Sequence, residues 1–182
     1  MRLLGLKKAE RVLSIDCSTS KIAFALFEGK RLQFYGEIDF PGKNTMERLP
    51  IGNKIMHDLA EKFQADRVAV EASVYIQNKR TVILLAYATG AFVSPLANGA
   101  KMEEISVLDW QAGIGNGNLT AAEKAKIKKD FPGKSATWYK EANRQFRKDR
   151  TISLVNNKYG INVTSPDVAD AIGVGWYVVE KK

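Results

Sequence analysis

The chain has 182 residues, 45% hydrophobic and 26% charged, the length and balance of one globular domain (1–182) rather than a disordered or fibrous chain. The formal net charge is +8, from 28 basic and 20 acidic residues. A single cysteine, Cys17, excludes an intramolecular disulfide and a cysteine zinc cluster, and a single histidine, His57, excludes most histidine-based metal and triad schemes. Any metal must then be held by carboxylates, which suit magnesium or manganese. The opening MRLLGLKKAERV lacks the long apolar core of a secretory signal, so the cytoplasm is the expected compartment.

In chain order, Arg11 to Asp16 is an apolar run that predicts a buried strand, and Lys21 to Phe27 predicts a second. Glu28-Gly29-Lys30 is a turn, and Arg31 to Phe40 returns as a third strand, giving a hairpin closed by Pro41-Gly42. Asn44 to Phe63 carries helical spacing through Met46, Leu49, Ile55, Met56, Leu59 and Phe63, with Pro50 and Gly52 as candidate breaks near its start. His57 falls on this helix as a surface or half-buried residue. Arg67 to Glu71 predicts a short parallel-type strand.

A helix is expected from about Asn78 to Leu96. Thr81 to Ala100 is twenty residues without a charge, long enough to span a bilayer. Its solid apolar part, Val82 to Phe92, is too short for that, so the expectation is a buried helix and no membrane. Glu104 to Leu108 predicts another strand, and Gly113 to Asn118 a mobile Gly/Asn-rich loop. Two basic helical segments follow, split by Phe131-Pro132-Gly133, the second from Ala136 to Tyr159. The last helix begins with Ser165 as N-cap, Pro166 at the first helical position and Asp167 at the positive end of the dipole, and runs to about Glu180. This order predicts an α/β fold with a mixed sheet, an antiparallel hairpin plus parallel strands, flanked by helices.

The charge is unevenly placed. Thr120 to Arg150 holds ten Lys or Arg residues against four acids, a balance of +6 and most of the whole excess. The ten include Lys124, Lys126, Lys128, Lys129, Arg144 and Arg147, with Trp138, Tyr139 and Phe146 interleaved. Cations that release counterions from phosphates, beside aromatic faces that can stack on bases, point to nucleic acid; a solvated helix face with core aromatics is the plainer reading.

Four acids stand out from the solvated rest. Asp16 and Glu71 each end an apolar strand, and Asp167 and Asp170 lie three apart on one face of the last helix. A carboxylate at the end of a core strand is costly without a partner. Taken singly, each could cap a helix or pair with a lysine. Taken together, they favour a carboxylate metal site, in which two ions activate a water and steady the leaving oxygen in phosphodiester cleavage.

The segments LSIDCSTSKIAFAL, VAVEASVYIQNKRTVILLAYATGAF and SPDVADAIGVGWY resemble the RuvC-type Holliday-junction resolvases of the ribonuclease H-like superfamily, over about Arg11 to Tyr177. That family has an Asp on the first strand, a Glu ending the fourth, a helix glycine nineteen residues on (here Gly90), and Asp-x-x-Asp opening the last helix. GIGNGNLTAAEKAKI is similar to its Gly/Asn-rich loop and A-x-K segment, which points to Lys124. The chain departs from the pattern in Cys17-Ser18 after the first Asp, and in Trp110 and Gln111 where a basic residue often follows the fifth strand. The stretch from about Phe131 to Arg147 has no counterpart, which is more like phage or mobile-element members.

The resemblance implies a Mg²⁺-dependent endonuclease that cuts four-way DNA junctions, leaving 5′-phosphate and 3′-hydroxyl ends. Asp16 would bridge two Mg²⁺ ions, replaceable by Mn²⁺, with Glu71, Asp167 and Asp170 completing the shells. The aromatic that inserts at the junction in some members falls at Val74 here, with Tyr75 next to it, so that a slip of one residue gives the role to Tyr75; Lys124, Lys126, Lys128, Lys129, Arg144 and Arg147 would bind DNA. Paired incision implies a homodimer, for which the small and apolar residues of Val82 to Leu96 offer a surface. The alternatives are another ribonuclease H-like nuclease acting on RNA–DNA hybrids or structured RNA, and a DNA-binding module whose acids are structural. An actin-like or sugar-kinase-like ATPase, suggested by DCSTS, needs two lobes and more chain.

Overall fold

A computed structural model describes residues 8–72 and 78–181 of the chain. Five strands form one mixed sheet in the order β3-β2-β1-β4-β5. β1 (Arg11–Cys17), β2 (Lys21–Glu28) and β3 (Arg31–Asp39) make an antiparallel meander, with Gly29 at φ +59° in the turn between β2 and β3. β4 (Arg67–Glu71) and β5 (Lys101–Ile105) continue parallel to β1. α1 (Thr45–Phe63) and α2 (Lys79–Val93) pack on one face of the sheet; α3 (Val107–Gly113), α5 (Ala136–Tyr159) and α6 (Pro166–Glu180) pack on the other, and α4 (Ala121–Asp130) lies against α5.

The two-residue period of the strands sorts side chains between these layers. On β1, Leu13 and Ile15 join the α1/α2 core, whereas Val12 joins the α6 core. Ser14 belongs to the α6 side too: its hydroxyl donates to the carbonyl of Ala171 at 2.7 Å. On β4, Val68 and Val70 face α1/α2 and Ala69 faces α6. The same alternation carries Asp16 and Glu71 to the α6 face. Close approach of α6 requires Gly175, where a Cβ would collide with the Phe27 ring and the Ser14 hydroxyl.

Several expectations are corrected. Pro50 and Gly52 do not break α1: Pro50 sits near the helix start and Gly52 makes room for the ring of Phe92. The fifth strand is Lys101–Ile105 rather than Glu104 to Leu108, because Lys101 pairs with Arg67, and Val107 already opens α3. The segment from Gly113 to Asn118 is not a loose loop. Asn116 is fully buried; its amide donates to the Arg147 carbonyl at 2.9 Å and to Thr151 Oγ1 at 2.6 Å, and its oxygen accepts from Arg150. α2 is not a buried helix either. Together with the 3-10 turn that follows it, it makes a helical stretch, Lys79–Ala97, long and apolar enough to cross a membrane by length and composition, yet within α2 only Ala88 and Phe92 are buried, while Ile83 and Tyr87 are each 51% exposed.

Candidate active site

Parallel pairing of β1 with β4 sets Ile15 beside Val70, so the next residues, Asp16 and Glu71, end adjacent strands side by side. This is the carboxyl edge of the parallel strands, where open α/β sheets bind ligands. The start of α6 faces this edge. Ser165 caps the helix, accepting from the Val168 N–H, and Asp167 and Asp170 project from its first turns. The four acids that the sequence separates by up to 154 positions thus line one cleft of about 240 Å³.

Their electrostatics are those of a crowded acidic cluster. Burial raises the Asp16 carboxyl to about 6, and Asp167 adds to the rise, against Lys148 and the backbone N–H of Cys17. Burial raises Glu71 to about 8, with Asp16 and Asp170 adding and the Trp110 indole opposing. Burial raises Asp170 to about 7, with Asp16 and Asp167 adding and Lys148 and Thr151 opposing. Among the described residues, no three Asp, Glu, His or Cys side chains close into a ready-made metal cage, and the four acids line an open cleft. Four carboxylates with no imidazole or thiolate are the oxygen donor set of Mg²⁺ or Mn²⁺, and a dication would offset both the burial and the lesser mutual repulsion that raise these carboxyls. The residues fit such an ion.

Four further residues shape the site: Trp110, Gln111, Lys148 and Lys21. Trp110 is fully buried and its indole Nε1 donates to Glu71 Oε2 at 2.8 Å, so the departure from the resemblance pattern after the fifth strand supplies a partner for Glu71. Gln111 beside it accepts from Arg147 Nη1 at 3.1 Å. Lys148 lines the cleft with Arg144, one helical turn earlier on α5. Their four-residue spacing put them on one helix face and could have been read. Lys21 enters the cleft from β2, for which no local pattern speaks.

The expected basic residues divide. Arg144 lines both the carboxylate cleft and an adjoining groove of about 400 Å³, which also holds Lys124, Arg147, Lys140 and Asn143. Lys126, Lys128 and Lys129 do not line this groove. They are exposed on α4, with Lys128 Nζ 5.9 Å from the centre of the Tyr139 ring. Arg150 is committed to structure, donating to Glu123 at 2.8 Å and to Asn116 and Gly117. Tyr75 and Val74 lie outside the described residues. His57 is exposed on α1, away from the cleft.

No family model matches the chain, and no curated protein matches it. Among solved structures, it is similar to Thermus thermophilus RuvC in complex with a Holliday junction substrate, with TM-score 0.67 and 13% identity over 92% of this chain and 91% of that one. It is likewise similar to the Thermus thermophilus RuvC structure, with TM-score 0.65 and 15% identity over 92% of each. The fold is therefore of the RuvC type, a mixed five-stranded ribonuclease H-like sheet flanked by helices.

Proposed function

We propose that this chain is a Mg²⁺-dependent endodeoxyribonuclease that resolves four-way DNA junctions by paired phosphodiester hydrolysis. The observation that carries the reading is the gathering of Asp16, Glu71, Asp167 and Asp170 in one cleft with Arg144 and Lys148 on its rim. The RuvC-type fold supports it, since one RuvC of similar fold is seen with a Holliday junction substrate.

Asp16, Glu71, Asp167 and Asp170 would hold two Mg²⁺ ions, replaceable by Mn²⁺. When bound, the ions supply activation of the attacking water and charge stabilisation at the leaving oxygen. The protein's own groups do the rest. The Trp110 N–H holds one oxygen of Glu71, a residue that lines the cleft. Arg144 and Lys148 offer cations to the phosphate of the strand to be cut, and Arg147 and Lys124 continue that positive path into the adjoining groove. A homodimer with one cleft per subunit matches the near two-fold symmetry of a four-way junction.

The test is Mg²⁺-dependent cleavage of a fixed four-way junction, with RNA–DNA hybrids and structured RNA as rival substrates and the strand ends mapped. Asp16→Asn should abolish cutting and spare junction binding, because it removes an ion ligand without touching the basic groove. Near-normal cutting by Asp16→Asn would sink the reading. Preference for hybrids would move the substrate to the wider ribonuclease H-like class, and binding with no cleavage by the wild type would leave a DNA-binding module.

A further inference from the structure

Lys21 has acidic neighbours on two sides. Its Nζ lies 3.3 Å from Glu37 Oε1 and 3.9 Å from Asp39 Oδ1, both on β3. On the cleft side it lies 3.9 Å from Asp167 Oδ2. Glu37 is itself anchored, because the Ser165 hydroxyl donates to its Oε2 at 2.6 Å. Ser165 caps α6, two residues before Asp167. A chain of contacts therefore runs from the edge strand β3, through one lysine, to one of the four cleft acids.

We propose that Lys21 is a positioning residue that competes with the divalent cation for Asp167, and that Glu37 sets how strongly it competes. The inference rests on the acids being an ion site, the reading given above. An ammonium within 4 Å of Asp167 holds that carboxylate toward β2 and repels a dication approaching it. Glu37 is the nearest carboxylate to this ammonium, so it both holds Lys21 in place and offsets its charge. Asp39, mostly exposed and farther away, contributes less.

Opposite signs follow for two neutral substitutions. Lys21→Met removes the competitor, so divalent-ion affinity should rise. Glu37→Gln keeps an oxygen to accept from Ser165 but removes the nearest charge that offsets Lys21, leaving only the exposed Asp39 beside Asp167, so affinity should fall. A unit charge a few ångströms from a dication at a protein surface changes its affinity on the order of tenfold, and solvent screening leaves about three- to tenfold here. A merely structural role for this cluster would make both variants weaker, because both would loosen the start of α6.

The experiment is Mn²⁺ binding to the full chain without DNA, by calorimetry and by water-proton relaxation, at fixed ionic strength. Lys21→Met should bind Mn²⁺ about three- to tenfold more tightly than wild type, Glu37→Gln about as much more weakly, and Lys21→Arg close to wild type. The Mg²⁺ concentration for half-maximal junction cleavage should move in the same directions. Wild-type affinity in both neutral variants, or weakening in both, would overturn the role of Lys21. Absence of saturable binding by the wild type, or binding untouched by Asp16→Asn, would instead overturn the ion site itself and the inference with it.

Discussion

The indole Nε1 of Trp110 donates to Glu71 Oε2 at 2.8 Å, from a ring with no exposed surface. The ring is wedged against α6 at Gly173, where a Cβ would collide with it, so the donor has little freedom to leave. Trp110→Phe keeps most of the packing and deletes the N–H. Glu71 is then without the one hydrogen bond that opposes its raised affinity for a proton. Removing a partner of this kind from behind a metal ligand typically costs about 10–100-fold in activity or metal affinity. Junction cleavage by Trp110→Phe should fall within that range at neutral pH, with partial recovery at higher pH. Unchanged cleavage would show that Glu71 needs no such support.

The raised carboxyls make stability depend on pH in a defined direction. Asp16, Glu71 and Asp170 release protons at about 6, 8 and 7 in the folded chain, against ordinary values near 4 when unfolded. The folded state therefore binds more protons across this window, and stability falls as pH rises from about 4 to about 8. In chelator, the melting temperature should be lower at pH 8 than at pH 5, and millimolar Mg²⁺ should restore it mainly at the higher pH. Asp16→Asn should flatten the chelator curve. Equal melting temperatures across the window would show that the cluster is relieved in another way.

Binding to DNA should reveal which lysines face it. Each phosphate that a cation no longer neutralises lowers the slope of log affinity against log salt by about 0.9. Replacing Lys124 and Arg144 by alanine should flatten the slope by nearly 2, since both line the groove beside the cleft. Replacing Lys126 and Lys129, which stand outside it, should change the slope far less. Fluorescence anisotropy on a labelled four-way junction over a salt series separates the two. A larger effect from the second pair would place the DNA across the outer face of α4.

The exposed apolar side of α2 should pair two copies of the chain. Ile83 and Tyr87 lie one helical turn apart, each about half exposed, on a helix that buries only Ala88 and Phe92. Sedimentation at micromolar concentration should give a dimer. Ile83→Glu combined with Tyr87→Glu should give a monomer of nearly unchanged melting temperature, because neither side chain belongs to the core. A wild-type monomer, both free and on junction DNA, would leave paired incision unexplained.

Local chemistry made much of this molecule legible from its residues alone. The alternation in RVLSID, the run RVAVE and the start Ser165-Pro166-Asp167 are signals that act within a few residues, and β1, β4 and α6 form where they say. Four acids at strand and helix ends were conspicuous because apolar neighbours make such positions costly. Long-range contacts decided the rest. Lys101 to Ile105, with three charges in five residues, is a strand only because β4 offers it a parallel partner. The glycine- and asparagine-rich stretch is fixed because Asn116 reaches Thr151, 35 positions away. Whether α2 is buried, which lysines share a groove, and that Trp110 would meet Glu71 and Lys21 would meet Asp167 depend on how layers stack. No period or cap within one segment encodes the packing of another, so these contacts appear only when the chain closes on itself.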